Sequence, residues 1–80
     1  MDETTNTAEI RADDLFNEIG FYKVDDNDDF ITYIHDNIGM VMFSIKYRDI
    51  LITDPKGMMR IVKPKEIVAI NKLLEEMRWK

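Results

Sequence analysis

Between Val41 and Tyr47 an apolar residue occupies every second position, and this alternation constrains the fold more than any other feature of the sequence. Side chains of a β-strand point alternately to opposite faces, so the segment predicts a strand with one apolar face. That face would carry Val41, Phe43, Ile45 and Tyr47. The segment lies near the middle of 80 residues, with strand-like segments on both sides and a helical pattern at each end. We therefore expect it to be a central strand.

Length and composition predict one small domain with little room for an internal active site. A domain of 80 residues buries only about 60% of the surface of its unfolded chain. The sequence contains no cysteine, which excludes disulfides and thiolate metal sites and favours a cytoplasmic location. No apolar segment approaches the roughly 20 residues that span a bilayer, and the first eight residues do not resemble a signal peptide.

A first helix is predicted between a capping residue, Asn6 or Thr7, and Gly20, which supplies a left-handed stop. Its apolar residues recur at helical spacing and are Ala12, Leu15, Phe16 and Ile19. Residues 1 to 7 show no periodicity and are expected to form a disordered tail, which leaves 8 to 80 as the domain.

Alternating apolar residues and turn formers predict a series of antiparallel strands. We expect them at residues 21–24, 30–35, 41–47 and 50–53, with a fifth at 58–62 in which Met59 and Ile61 face inward. The sequence from Asp54 to Gly57 has the preferences of a type I turn.

A second helix is predicted from Pro64 onward, because proline suits the first helical turn. Its apolar stripe would consist of Ile67, Ile70, Leu73, Leu74 and Met77. Lys72 and Glu76 would face solvent, and Trp79 would hold the helix end against the sheet. The predicted fold class is α+β: an antiparallel β-meander of four to five strands packed against an N-terminal and a C-terminal helix.

The run from Asp25 to Asp29 is interpreted as a solvated turn. An EF-hand calcium loop starting at Asp25 would need Gly and Glu at positions that Phe30 and Asp36 occupy, so no metal is expected. The run is instead a candidate surface for a protein partner, through Asp25, Asp26, Asp28 and Asp29.

Methionines make up an unusual share of the predicted sheet. Met42 and Met58 fall on the faces expected to point outward. Methionine commonly fills gaps in a core, but an exposed apolar patch around these two residues would mark a protein contact or a dimer interface.

Basic residues suggest an alternative partner. Residues 1 to 40 carry eleven acidic and two basic side chains, whereas residues 41 to 80 carry five acidic and nine basic ones. A basic sheet face could bind single-stranded nucleic acid through Lys46, Arg48, Arg60 and Lys63. The net charge of -5 argues against this and leaves room for a further alternative, an acidic mimic of nucleic acid.

Catalysis is not expected. The single histidine, His35, and the single serine, Ser44, could be combined with Asp36 into a triad, but Ser44 lies inside a predicted strand without a nucleophile elbow. Nothing else in the sequence indicates an enzyme or a cofactor.

Three segments carry a resemblance: ADDLFNEIGF at residues 12–21, FITY at 30–33 and EIVAINK at 66–72, followed by Trp79. Together they resemble small phage and prophage proteins of Gram-positive bacteria. The resemblance implies a source and a fold pattern, and it brings no activity or site residues with it.

These observations favour a small cytoplasmic protein of phage origin that binds a protein partner without catalysing a reaction. We expect it to act as a monomer or weak homodimer and to have no contact with a membrane.

Overall fold

The computed structural model describes residues 10 to 78. Two helices flank four strands: α1 (Ala12–Glu18), β1 (Tyr22–Asp26), β2 (Phe30–His35), β3 (Gly39–Ser44), β4 (Asp49–Thr53) and α2 (Pro64–Met77). The strands form one antiparallel sheet in the order β1-β2-β3-β4. The predicted α+β arrangement is therefore confirmed, with four strands.

The core lies between the two helices and one face of the sheet. Phe16 of α1 stacks on Tyr33 of β2 with ring centres 3.9 Å apart, and Phe43 of β3 meets Phe16 edge-on at 6.3 Å. The fully buried apolar side chains are Ala12, Phe16, Phe21, Tyr33, Val41, Phe43, Ala69, Ile70 and Leu73. The predicted apolar faces of the first helix and of β3 are thus the ones that form the core.

Two predicted boundaries differ in the structure, and other predictions fall outside the described residues. The predicted cap at Asn6 or Thr7, the tail and the Trp79 contact lie outside the described residues. Among the described residues the first helix begins at Ala12, after Arg11, whose N–H donates to the Asp14 carboxylate at 3.1 Å. The central strand ends at Ser44, because the chain turns over residues 45–48 and leaves Tyr47 exposed.

The predicted fifth strand at 58–62 is wrong. This segment makes only one isolated antiparallel bridge, between Met59 and Thr53. Met59 and Ile61, predicted to face inward, are each 89% exposed. The chain must leave the sheet here because α2, which begins at Pro64, lies in the helix layer.

The predicted stripe of the second helix is confirmed at Ile70, Leu73, Leu74 and Met77, which are buried or pack against the core, and is wrong at Ile67. Its buried residues are Glu66, Ala69, Ile70 and Leu73, and Ile67 is 47% exposed. Glu66 occupies an inward position and is paired there with Arg60 from the preceding loop at 2.6 Å.

Candidate interaction surface

Both helices cover the same side of the sheet, and the other side carries a second set of apolar residues. Directly opposed residues of paired strands point to the same face. The registers therefore assign one face to a set that we call the open sheet face, in which six residues are apolar and five are polar: Tyr22, Phe30, Ile34, Met40, Met42 and Leu51, with Asp25, Thr32, Ser44, Asp49 and Thr53. None of its residues belongs to the core cluster among the described residues. Six apolar side chains thus lie on the side of the sheet that the helices leave uncovered, interspersed with polar ones.

Exposure varies across the open sheet face. Tyr22 is 47% exposed on β1 and Leu51 is 46% exposed on β4, the two edge strands. Ile34, Met40 and Met42 on the central strands are partly buried. Ile34 and Met40 line a cleft with Asp54, Pro55 and Gly57 of the loop that follows β4. The result is a partly exposed group of apolar side chains interrupted by polar ones. Exposed apolar patches commonly mark a protein contact.

Thr32 lies at the middle of this surface. Its register partners are Asp25 on β1 and Met42 on β3, and its side chain is 2% exposed. The Thr32 hydroxyl makes no hydrogen bond with any described residue. A buried hydroxyl without a partner costs free energy, so the centre of the face is not optimised for stability alone.

The acidic loop, residues 25–29, borders one end of the open sheet face. The Asn27 side-chain oxygen shapes it by accepting the N–H groups of Asp29 and Phe30 at 2.8 and 2.9 Å. Asp26 is paired with Lys23 at 3.0 Å, while Asp25, Asp28 and Asp29 are exposed. No cluster of three or more potential metal ligands occurs within residues 10–78.

Lys23 links this loop to the helix layer. Its ammonium lies 3.2 Å from Asp13, which also accepts a hydrogen bond from the Tyr33 hydroxyl. Partial burial tends to raise the pKa of Asp13, but the hydrogen bonds from Tyr33 and Lys23 outweigh it and lower that pKa. Burial and the same carboxylate raise the pKa of Tyr33. The helical pattern of the sequence gave no signal of this contact at Asp13.

The four candidate basic residues lie at two ends of the molecule. Lys46 and Arg48 are exposed in the turn between β3 and β4. Arg60 and Lys63 follow the far end of β4, roughly 17 Å away for a strand of five residues. They do not form one basic surface.

Arg60 is also occupied by contacts within the protein. Its guanidinium binds both carboxylate oxygens of Glu66, at 3.0 and 2.6 Å, and its Nε–H donates to the Thr53 carbonyl at 2.7 Å. Burial tends to raise the pKa of Glu66, but the Arg60 hydrogen bonds and the Lys63 N–H lower it overall. Arg60 is thus a structural residue, held with a side chain only 9% exposed.

Met42 and Met58 are not equivalent. Met42 belongs to the open sheet face, whereas Met58 lies outside the sheet and is 65% exposed. The predicted turn before Met58 forms as expected, with the Gly57 N–H donating to the Asp54 carbonyl at 3.0 Å. The Asp54 carboxylate accepts the N–H groups of Lys56 and Met58 and fixes the loop.

His35 and Ser44 are separated by the length of β2. His35 pairs with Gly39 at one end of the ladder, and Ser44 pairs with Phe30 at the other. The His35 Nδ1 accepts hydrogen bonds from the N–H groups of Asn37 and Ile38 and so stabilises the turn between β2 and β3. The triad considered from the sequence is therefore not assembled.

Comparisons of the chain with protein-family models, curated proteins and solved structures found no match. Within residues 10–78, neither helix has the length and apolar character needed to cross a membrane.

Proposed function

We propose that this chain is a small cytoplasmic protein of phage or prophage origin that binds a protein partner through the open sheet face and catalyses no reaction. The observation that carries the proposal is the group of apolar side chains on the side of the sheet left uncovered by α1 and α2. The partner would present an apolar surface to Met42 and Leu51, and a basic group to the neighbouring acidic loop.

Substitution on the face tests this proposal. We expect the double variant M42K/L51K to lose capture of the partner, because two ammonium groups would have to be desolvated in the contact. The matched control is Val68→Lys in α2, where Val68 is 56% exposed and does not belong to the open sheet face. Circular dichroism and thermal unfolding of each variant report whether the fold is retained.

Capture that is lost with M42K/L51K and kept with Val68→Lys supports the proposal. Equal capture by folded M42K/L51K contradicts it. The acidic loop is tested separately by replacing its four aspartates with Asn, which should weaken capture without unfolding the chain.

The nucleic-acid alternative has less support, because Arg60 is bound to Glu66 and the remaining basic residues are divided. Binding to oligonucleotides that falls steeply with salt would favour it over a protein partner. Competition between duplex DNA and the captured protein would instead indicate nucleic-acid mimicry.

A further inference from the structure

We infer that the partner of the open sheet face is a second copy of this chain, packed face to face about a two-fold axis that runs parallel to the strands. The inference rests on the proposed function, in which this face is a docking surface. It adds the identity of the occupant and its orientation.

The first step is the position of two oppositely charged turns. In a four-stranded meander, the β1–β2 and β3–β4 turns lie at the same end of the sheet. The hydrogen bond from the Ile45 N–H to the Asp29 carbonyl, 2.9 Å long, confirms that they are neighbours. The acidic loop carries four carboxylates, and the other turn carries Lys46 and Arg48, with Asp49 beside them.

The second step is the symmetry. A two-fold axis that runs along the strands, between β2 and β3, keeps the acidic loops of both copies at the same end of the dimer. It places β1 of each copy over β4 of the other. It therefore sets the acidic loop of one copy over Lys46 and Arg48 of the other, and this contact occurs twice. Such self-complementarity is what an isologous dimer requires.

The orientation with the axis across the strands lacks this match. It would bring the acidic loop over the β2–β3 end of the other copy, where Asp36 and Asp54 line a shared cleft. The charges at that end are mixed, because Lys56 and Lys63 also lie there and Arg60 is paired with Glu66, so the acidic loop would meet no purely basic turn.

The third step is size. Four strands about 4.8 Å apart and five to six residues long give a flat area of roughly 350 Å². A standard stable interface buries about 800 Å² per partner, so the dimer should be weak and dependent on concentration.

The decisive experiment is a charge exchange between chains, measured by sedimentation velocity over a wide concentration range. The loop-reversed variant is D28K/D29K, and the turn-reversed variant is K46E/R48E. Each alone should dimerise at least about tenfold more weakly than the wild type, because like charges would meet at both corners. An equimolar mixture should form heterodimers, in which acidic and basic turns again face each other.

Each chain in the mixture still carries its reversed charges. Recovered dimerisation must therefore come from contacts between chains and not from a repaired effect within one chain. Wild-type dimerisation should also be lost in M42K/L51K and retained in Val68→Lys. A wild type that stays monomeric, a dimer that survives M42K/L51K, or a mixture that does not associate overturns the inference. If another protein is still captured through the face in those cases, the proposed function stands and only its self-association fails.

Discussion

At the scale of single residues, one of the most buried side chains is a charged one. Glu66 is 1% exposed and satisfies its carboxylate with Arg60 and with the Lys63 N–H, which lies 2.9 Å away. Breaking a buried ion pair by removing one partner leaves the other charge uncompensated.

Glu66→Gln should therefore lower the free energy of unfolding by about 3 kcal/mol. The folded pKa of Glu66 lies below its ordinary value of 4.5, so the unfolded state binds the proton more tightly. The stabilisation is then complete above that ordinary value and is lost as pH falls through the folded pKa. Urea unfolding across acidic pH should show a shallower pH dependence for the variant. Glu75→Gln, at a 65% exposed side chain, is the control that should change little.

Gly39 is a second constrained residue. It has φ +127°, and a Cβ there would lie 2.0 Å from the Thr53 carbonyl oxygen. Gly39→Ala should cost more than about 3 kcal/mol, because positive φ and a backbone clash act together. Gly57→Ala, with φ +88° and open space around it, should cost only about 1–2 kcal/mol. If Gly39→Ala and Gly57→Ala lower the free energy of unfolding equally, the clash at Gly39 does not add to the cost.

At the scale of elements, the last helix caps the first. The Glu76 carboxylate accepts the Ala12 N–H at 2.7 Å, although these residues are 64 positions apart. A carboxylate at a helix N-terminus satisfies a free N–H group and interacts favourably with the helix dipole. Glu76 was predicted to face solvent beside Lys72, whereas Lys72 is paired with Glu75 at 3.4 Å.

Glu76→Ala should cost about 1 kcal/mol and should increase amide hydrogen exchange in the first turn of α1. Glu75→Ala removes the same charge one position away and provides the matched control. Unchanged exchange at Ala12 in the Glu76 variant would show that the cap does not stabilise α1.

Sequence periodicity was sufficient to predict the buried side of elements whose core contacts recur at a regular spacing. The spacing of Ala12 and Phe16 and the alternation of Val41 and Phe43 correctly predicted which sides form the core. Patterns failed at Ile61 and Ile67, which are exposed. Both lie beside the pair formed by Arg60 and Glu66, and two charged residues six positions apart carry no periodic signal.

The open sheet face was only partly predictable. Met42 was recognised as an outward apolar residue, but its neighbours Ile34, Met40 and Leu51 could be grouped with it only once the strand registers were known. Met58 was grouped with Met42 on the assumption of a fifth strand, which does not form.

At the scale of the whole molecule, the sheet has one side covered by helices and one uncovered side that carries apolar side chains, so stability should depend on association. Binding that occurs only in the folded state raises the unfolding temperature with protein concentration. We expect the Tm of the wild type to rise with concentration and that of M42K/L51K to stay constant, in differential scanning calorimetry. The Tm of Val68→Lys should rise with concentration as that of the wild type does. The same concentration dependence of Tm in all three proteins would contradict the expectation.

The contact between Ala12 and Glu76 brings the two ends of the described chain together. The described residues therefore begin and end at neighbouring positions in the fold. A circular permutant that joins these ends through a short linker and opens the turn at residues 45–48 should keep every strand pairing. Because the joined ends lie in the helix layer, such a chain would still present its open sheet face.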